Sequence, residues 1–128
     1  MTLPDTDTAA DDGDRPAPVA QPLGAPPPTV LTAKPVDEQT HLLELLAAWV
    51  DWLTDRYRLD HRTIPPCWPE HGELIEELVA LHLAWQAAYG HLAHGDAPLL
   101  WHEHFSLARE RLGDAVARSG CRAGHHRP

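Results

Sequence analysis

This chain is poor in long apolar runs, in lysine, in serine and in the glycine-rich motifs of nucleotide chemistry. No stretch of about eighteen apolar residues occurs, so no segment reads as a membrane-spanning helix. The N-terminus is acidic and lacks the positive start and apolar core of a secretory leader. A cytoplasmic location is therefore expected, where Cys67 and Cys121 stay reduced thiols. There is no Gly-rich phosphate loop, no nucleophile elbow and no HExxH, and the HEH of His102 to His104 has the wrong spacing for a zinc-protease helix. The two serines, Ser106 and Ser119, stand beside no obvious base, and Asp51, Asp55 and Asp60 are interleaved with Arg56, Arg58 and Arg62 as a solvated polar face. These absences argue against an enzyme. No alternating run of β-branched residues appears either, which argues against a sheet.

Residues 1–38 carry eight of the 13 prolines, seven acids against Arg15 and Lys34, and no aromatic residue. Such a segment buries too little apolar surface to offset an ordering entropy of roughly 1–2 kcal/mol per residue. It reads as a disordered acidic tail with polyproline character around Pro26 to Pro28. Nine arginines to one lysine, with abundant Ala, Pro and Gly, is the pattern of a GC-rich bacterial genome.

From Asp37 the pattern turns helical. Leu42, Leu46, Trp49, Leu53 and Tyr57 recur at helical spacing, with Leu43, Leu45, Val50 and Trp52 widening the face. Asp37 or Thr40 would cap this first helix. Leu74, Leu78, Leu81, Trp85 and Leu92 form a second seam, with Pro69 in its first turn and Glu73, Glu76 and Glu77 toward solvent. Trp101, Phe105, Ala108, Leu112 and Val116 form a third, capped by Asp96 with Pro98 just inside. The fold class is all-α: a small three-helix bundle over residues 39–122, with helices at about 37–58, 70–92 and 97–119, then a disordered end at 123–128. Each buried indole N–H is expected to find an acceptor.

Between the first two helices lies Ile64 to His71, reading IPPCWPEH, too stiff and apolar for a plain connector. It should pack back on the helices. Trp52, Trp68, Pro65 and Pro66 are the candidate partner surface, since a stiff segment loses little entropy on docking; the alternative is that the whole segment is buried core. The same segment opens a metal candidate. Cys67 and His71 are four apart, Cys121 and His125 repeat that spacing, and His126 is an alternative fourth ligand. Two thiolates and two imidazoles suit tetrahedral zinc, and an antiparallel bundle brings the loop after the first helix near the end of the third. The competing reading makes Cys67 a small buried hydrophobe and Cys121 part of a fraying end, with no cofactor.

Arg111, Arg118 and Arg122 project from one side of the third helix and form a candidate phosphate-contact surface. The net acidity of the folded part weighs against nucleic acid as the partner, and basic residues near a helix C-terminus complement its dipole. His91, His94, His102 and His104 crowd the junction of the last two helices, and His82 flanks the second seam as a boundary residue.

WVDWL (Trp49 to Leu53), Tyr57, the CW of Cys67 and Trp68 with His71, LVALHLAW (Leu78 to Trp85) and LWHEHF (Leu100 to Phe105) together resemble a family of small uncharacterised helical proteins. These occur in actinobacterial genomes, often among plasmid, phage and integrative-element genes. The likeness covers roughly residues 42–122 and implies a helical accessory factor of a mobile element; it lends no catalytic residue. The expectation is a non-enzymatic helical protein acting through protein–protein contact, a homodimer being one form. The alternatives are a zinc-stapled structural domain and a DNA-associated accessory protein.

Overall fold

The computed structural model describes residues 31–121 and 126–127. The expected tail over residues 1–30, together with Arg122 and His125, lies outside the described residues. A 3-10 turn, Leu31–Ala33, precedes three helices: α1 (Val36–Tyr57), α2 (Gly72–Ala88) and α3 (Ala97–Ser119). A second 3-10 turn, Trp68–Glu70, stands before α2. No strand occurs among the described residues.

Helix starts differ from the sequence expectation in instructive ways. α1 begins before both expected caps: Pro35 supplies the carbonyl that Gln39 N–H reaches at 2.9 Å, with no side-chain cap. Asp37 and Glu38 then occupy the first turn, where they favour the dipole, and the Thr40 hydroxyl donates to Val36 O at 3.1 Å inside the helix. Residues 31–38, expected to belong to the tail, are thus partly helical, and Leu31 is buried. α2 starts two residues later than expected because Pro69 belongs to the 3-10 turn and His71 is extended, at φ −123° and ψ 110°. It also ends earlier, at Ala88, so Leu92 leaves the seam and is 66% exposed. Leu45 and Trp52 do not widen the buried face of α1; both are exposed. Asp96 occupies the N-cap position of α3 through its carbonyl, accepting from Leu100 N–H at 3.1 Å, while its side chain caps nothing.

α2 and α3 form an antiparallel hairpin. Its register shows in three pairs that run in opposite directions: Glu73 with Arg118, Glu77 with Arg111, and Leu81 with Trp101. The hairpin buries Leu74, Leu78 and Leu81 against Trp101, Phe105, Ala108, Leu112 and Val116. Full burial of one such leucine stabilises by roughly 1.5–3 kcal/mol. α1 lies across the hairpin: Trp49 stacks on His82 at 4.7 Å between ring centroids, Trp52 meets Trp85 at 5.3 Å, and Tyr57 reaches Phe105 at 4.9 Å. Trp101 N–H donates to Leu81 O at 3.3 Å, as burial of an indole requires. Trp49 departs from that expectation: it is 7% exposed, and its N–H has no acceptor.

The segment from residue 58 to 71 satisfies its own backbone. Arg58 closes α1 in the left-handed region, at φ 55°, and the Asp60 carboxylate accepts from Arg62 N–H at 3.0 Å. Thr63 and Ile64 N–H then reach Asp60 O, and Trp68 N–H reaches Pro65 O at 3.0 Å. These bonds fold the apolar side chains inward, where Leu59, Ile64, Pro65 and Trp68 join the core.

Candidate metal centre

That inward fold sets the position of the first thiol. Cys67 stands just before the 3-10 turn, and His71 stands just after it, as the residue preceding α2. On the other side, Gly120 ends α3 in the left-handed region, at φ 79°. A side chain there would be strained, and a Cβ would sit 2.8 Å from the Arg127 side chain. Glycine therefore permits the reversal that returns His126 and Arg127 to Cys121. Ser119 steadies the bend, since its hydroxyl donates to Val116 O at 2.7 Å and accepts from Cys121 N–H at 3.1 Å.

The result is a cluster of four donor atoms, all within 4.8 Å of one another: Sγ of Cys67 and Cys121 with ring nitrogens of His71 and His126. Cys67 Sγ lies 3.6 Å from Cys121 Sγ and 3.6 Å from His71 Nε2. Cys121 Sγ lies 3.3 Å from His71 Nε2 and 3.5 Å from His126 Nδ1. Zinc bonds of about 2.3 Å to sulfur and about 2.05 Å to nitrogen, arranged tetrahedrally, require sulfur–sulfur edges of about 3.8 Å and sulfur–nitrogen edges of about 3.6 Å. The four edges agree with those lengths to about 0.3 Å. Weak thiol hydrogen bonds alone do not call for two imidazoles and a second thiol around one point.

The electrostatics divide the two sulfurs. Burial pushes the Cys67 thiol up, and the neighbouring Cys121 adds to the effect. Cys121 moves the other way, to about 6, chiefly through the Arg127 backbone N–H, which donates to its Sγ at 3.2 Å. Desolvation opposes that shift, while Ser119, Cys67 and His126 assist it. A backbone donor aimed at a sulfur stabilises thiolate, the form a metal binds.

The cluster unites three of the four expected ligands, Cys67, His71 and Cys121; His126, the alternative, takes the place given to His125. Cys121 is buried and bonded, not part of a fraying end, and His126 and Arg127 hold places against it rather than belonging to a loose terminus. The expected partner surface divides. Trp52 and Pro66 are exposed, whereas Trp68, at 6%, and Pro65 face the core, because the turn carrying them folds inward. The expected phosphate-contact surface is largely neutralised: Arg111 makes a bidentate pair with Glu77 at 2.9 and 2.7 Å, and Arg118 meets Glu73 at 2.9 Å. His102 is drawn from the histidine-rich junction to the Tyr57 hydroxyl, 3.0 Å away. Ser119, Gly120 and Arg127 support the site with little signature in the sequence, where only the glycine following an apolar seam signals such a bend.

No helix among the described residues is long and apolar enough to cross a membrane. No family model matches the chain, and neither any curated protein nor any solved structure is significantly similar to it.

Proposed function

We propose that this chain is a zinc-stapled, non-enzymatic helical domain that works by binding another protein. The observation carrying this reading is the convergence of Cys67, His71, Cys121 and His126 from both sides of the α2–α3 hairpin, with four of the six donor–donor edges near tetrahedral lengths and all within 4.8 Å. Two thiolates with two imidazoles select zinc over hard cations. Four protein ligands also close the coordination shell, leaving no position for the water or substrate that a catalytic zinc holds. A small domain gains from a staple because its apolar core alone leaves little margin over chain entropy. The binding half of the proposal is supported by Trp52 and Tyr89, both exposed and both packed on half-buried Trp85. Accessory work in a mobile element is the setting that the sequence resemblance implies.

Protein purified without a polyhistidine tag is expected to carry one zinc per chain by elemental analysis. Cobalt(II) in its place should give the visible absorption of a tetrahedral thiolate site. A chain that takes up neither metal at micromolar concentration would sink the proposal. Trp52→Ala and Tyr89→Ala should weaken partner capture while leaving zinc content unchanged.

A further inference from the structure

The two thiols offer chemistry that a purely structural zinc site does not use. Cys67 and Cys121 are 54 residues apart in sequence, yet their sulfurs lie 3.6 Å apart. A disulfide requires about 2.05 Å between sulfurs, so closure shortens their separation by about 1.5 Å. Nothing stands between them, and each sulfur is a neighbour of His71 Nε2. Cys67 is partly exposed, so a small oxidant has a route to the pair that the buried Cys121 alone would not give.

We propose that Cys67 and Cys121 form a reversible disulfide that displaces the metal, so that this corner responds to hydroperoxides. The displacement half rests on the zinc reading, whereas the disulfide half rests on the sulfur geometry alone. In the first step one thiolate attacks a peroxide oxygen; a sulfur–oxygen bond forms, the oxygen–oxygen bond breaks, and hydroxide leaves. In the second, the other thiolate attacks the sulfenic sulfur; the sulfur–sulfur bond forms and a second hydroxide departs. Two electrons pass from the sulfur pair to one peroxide, and the two hydroxides take up protons to become water. With both thiolates consumed, two imidazoles remain, too few to retain zinc. A dithiol reductant reverses the linkage and restores the ligand set. Either linkage ties the segment before α2 to the segment after α3, so the fold keeps a cross-link in both states.

The test uses the full chain, zinc-loaded, titrated with hydrogen peroxide beside a chromogenic zinc indicator. One zinc released for every two thiols lost, with a monomer lighter by two hydrogens, supports the proposal, as does recovery with dithiothreitol and added zinc. Intermolecular dimers, or thiols lost only as sulfinic and sulfonic acids, overturn it. Metal-free chain oxidised in parallel separates the two readings. Closure there in a chain that never holds zinc removes the zinc reading and the displacement half with it. Zinc held but no linkage, even after chelation, overturns the disulfide and leaves the zinc reading standing. His126→Ala retains both sulfurs and must still lose two hydrogens, whereas Cys67→Ser must not.

Discussion

The two ends of the α2–α3 hairpin are held by different physics. Near its connecting loop, Trp49, Trp52, Tyr57, Trp85, Trp101 and Phe105 interleave, with ring centroids 4.9–6.5 Å apart. At its open end the rings give way to two sulfurs, two imidazoles and two ion pairs. The apolar burial that gathers the rings is non-directional and tolerates an imperfect fit, as the unpartnered Trp49 N–H shows. The donor cluster is directional, and its worth depends on which ion or bond joins it. On the proposed zinc reading, one end sets the shape and the other makes stability conditional.

Chelation should separate the ends most strongly. Stripping the metal is expected to lower Tm by roughly 20 °C or more, since structural zinc contributes on the order of 10 kcal/mol to small domains and each kcal/mol moves Tm by about 4–8 °C. Unchanged melting in excess chelator would make the open end as self-sufficient as the aromatic one and break the contrast.

Within the aromatic end, Trp101→Phe should cost about 2 kcal/mol in denaturant unfolding, through lost volume and the lost indole hydrogen bond to Leu81 O. Trp49→Phe should cost about 1 kcal/mol less, because the donor it removes has no acceptor. Equal losses would mean that hydrogen bonding plays no part at that end.

Acidification gives a third handle. Burial lowers the pKa of His82, which stacks on Trp49, below its ordinary 6.5. The unfolded chain therefore binds the proton more readily than the folded one. Above 6.5 both forms are neutral and His82 exerts no pH effect; as pH falls through 6.5 toward the lower folded pKa, stability drops. His82→Phe should flatten that part of the stability–pH curve, and an unchanged slope would place the sensitivity elsewhere. The smallest effect is expected at Arg58→Gly, which relieves a left-handed arginine at φ 55° and should change stability by less than about 1 kcal/mol, most visibly as slower unfolding.

Much of the helical architecture was legible because periodicity reports burial directly: all five seam residues of α3 are buried. Helix ends were less legible, since Pro35 starts α1 without a side-chain cap and Pro69 belongs to a 3-10 turn. At the site, the repeated four-residue spacing exposed Cys67, His71 and Cys121. The fourth position was open between His125 and His126; His126 joins the cluster, and His125 lies outside the described residues. Trp68 was ambiguous between partner surface and core, because a stiff apolar connector serves either; its indole turns into the core.

The 54-residue separation of the two sulfurs also has a bearing on biosynthesis. The short connection between α2 and α3 makes their pairing the cheaper closure, while joining Cys67 to Cys121 encloses both helices. Cys121 and His126 leave the ribosome after the three described helices have been made, so on the proposed zinc reading ion capture would follow assembly of the hairpin and serve as a late inspection of the nascent protein.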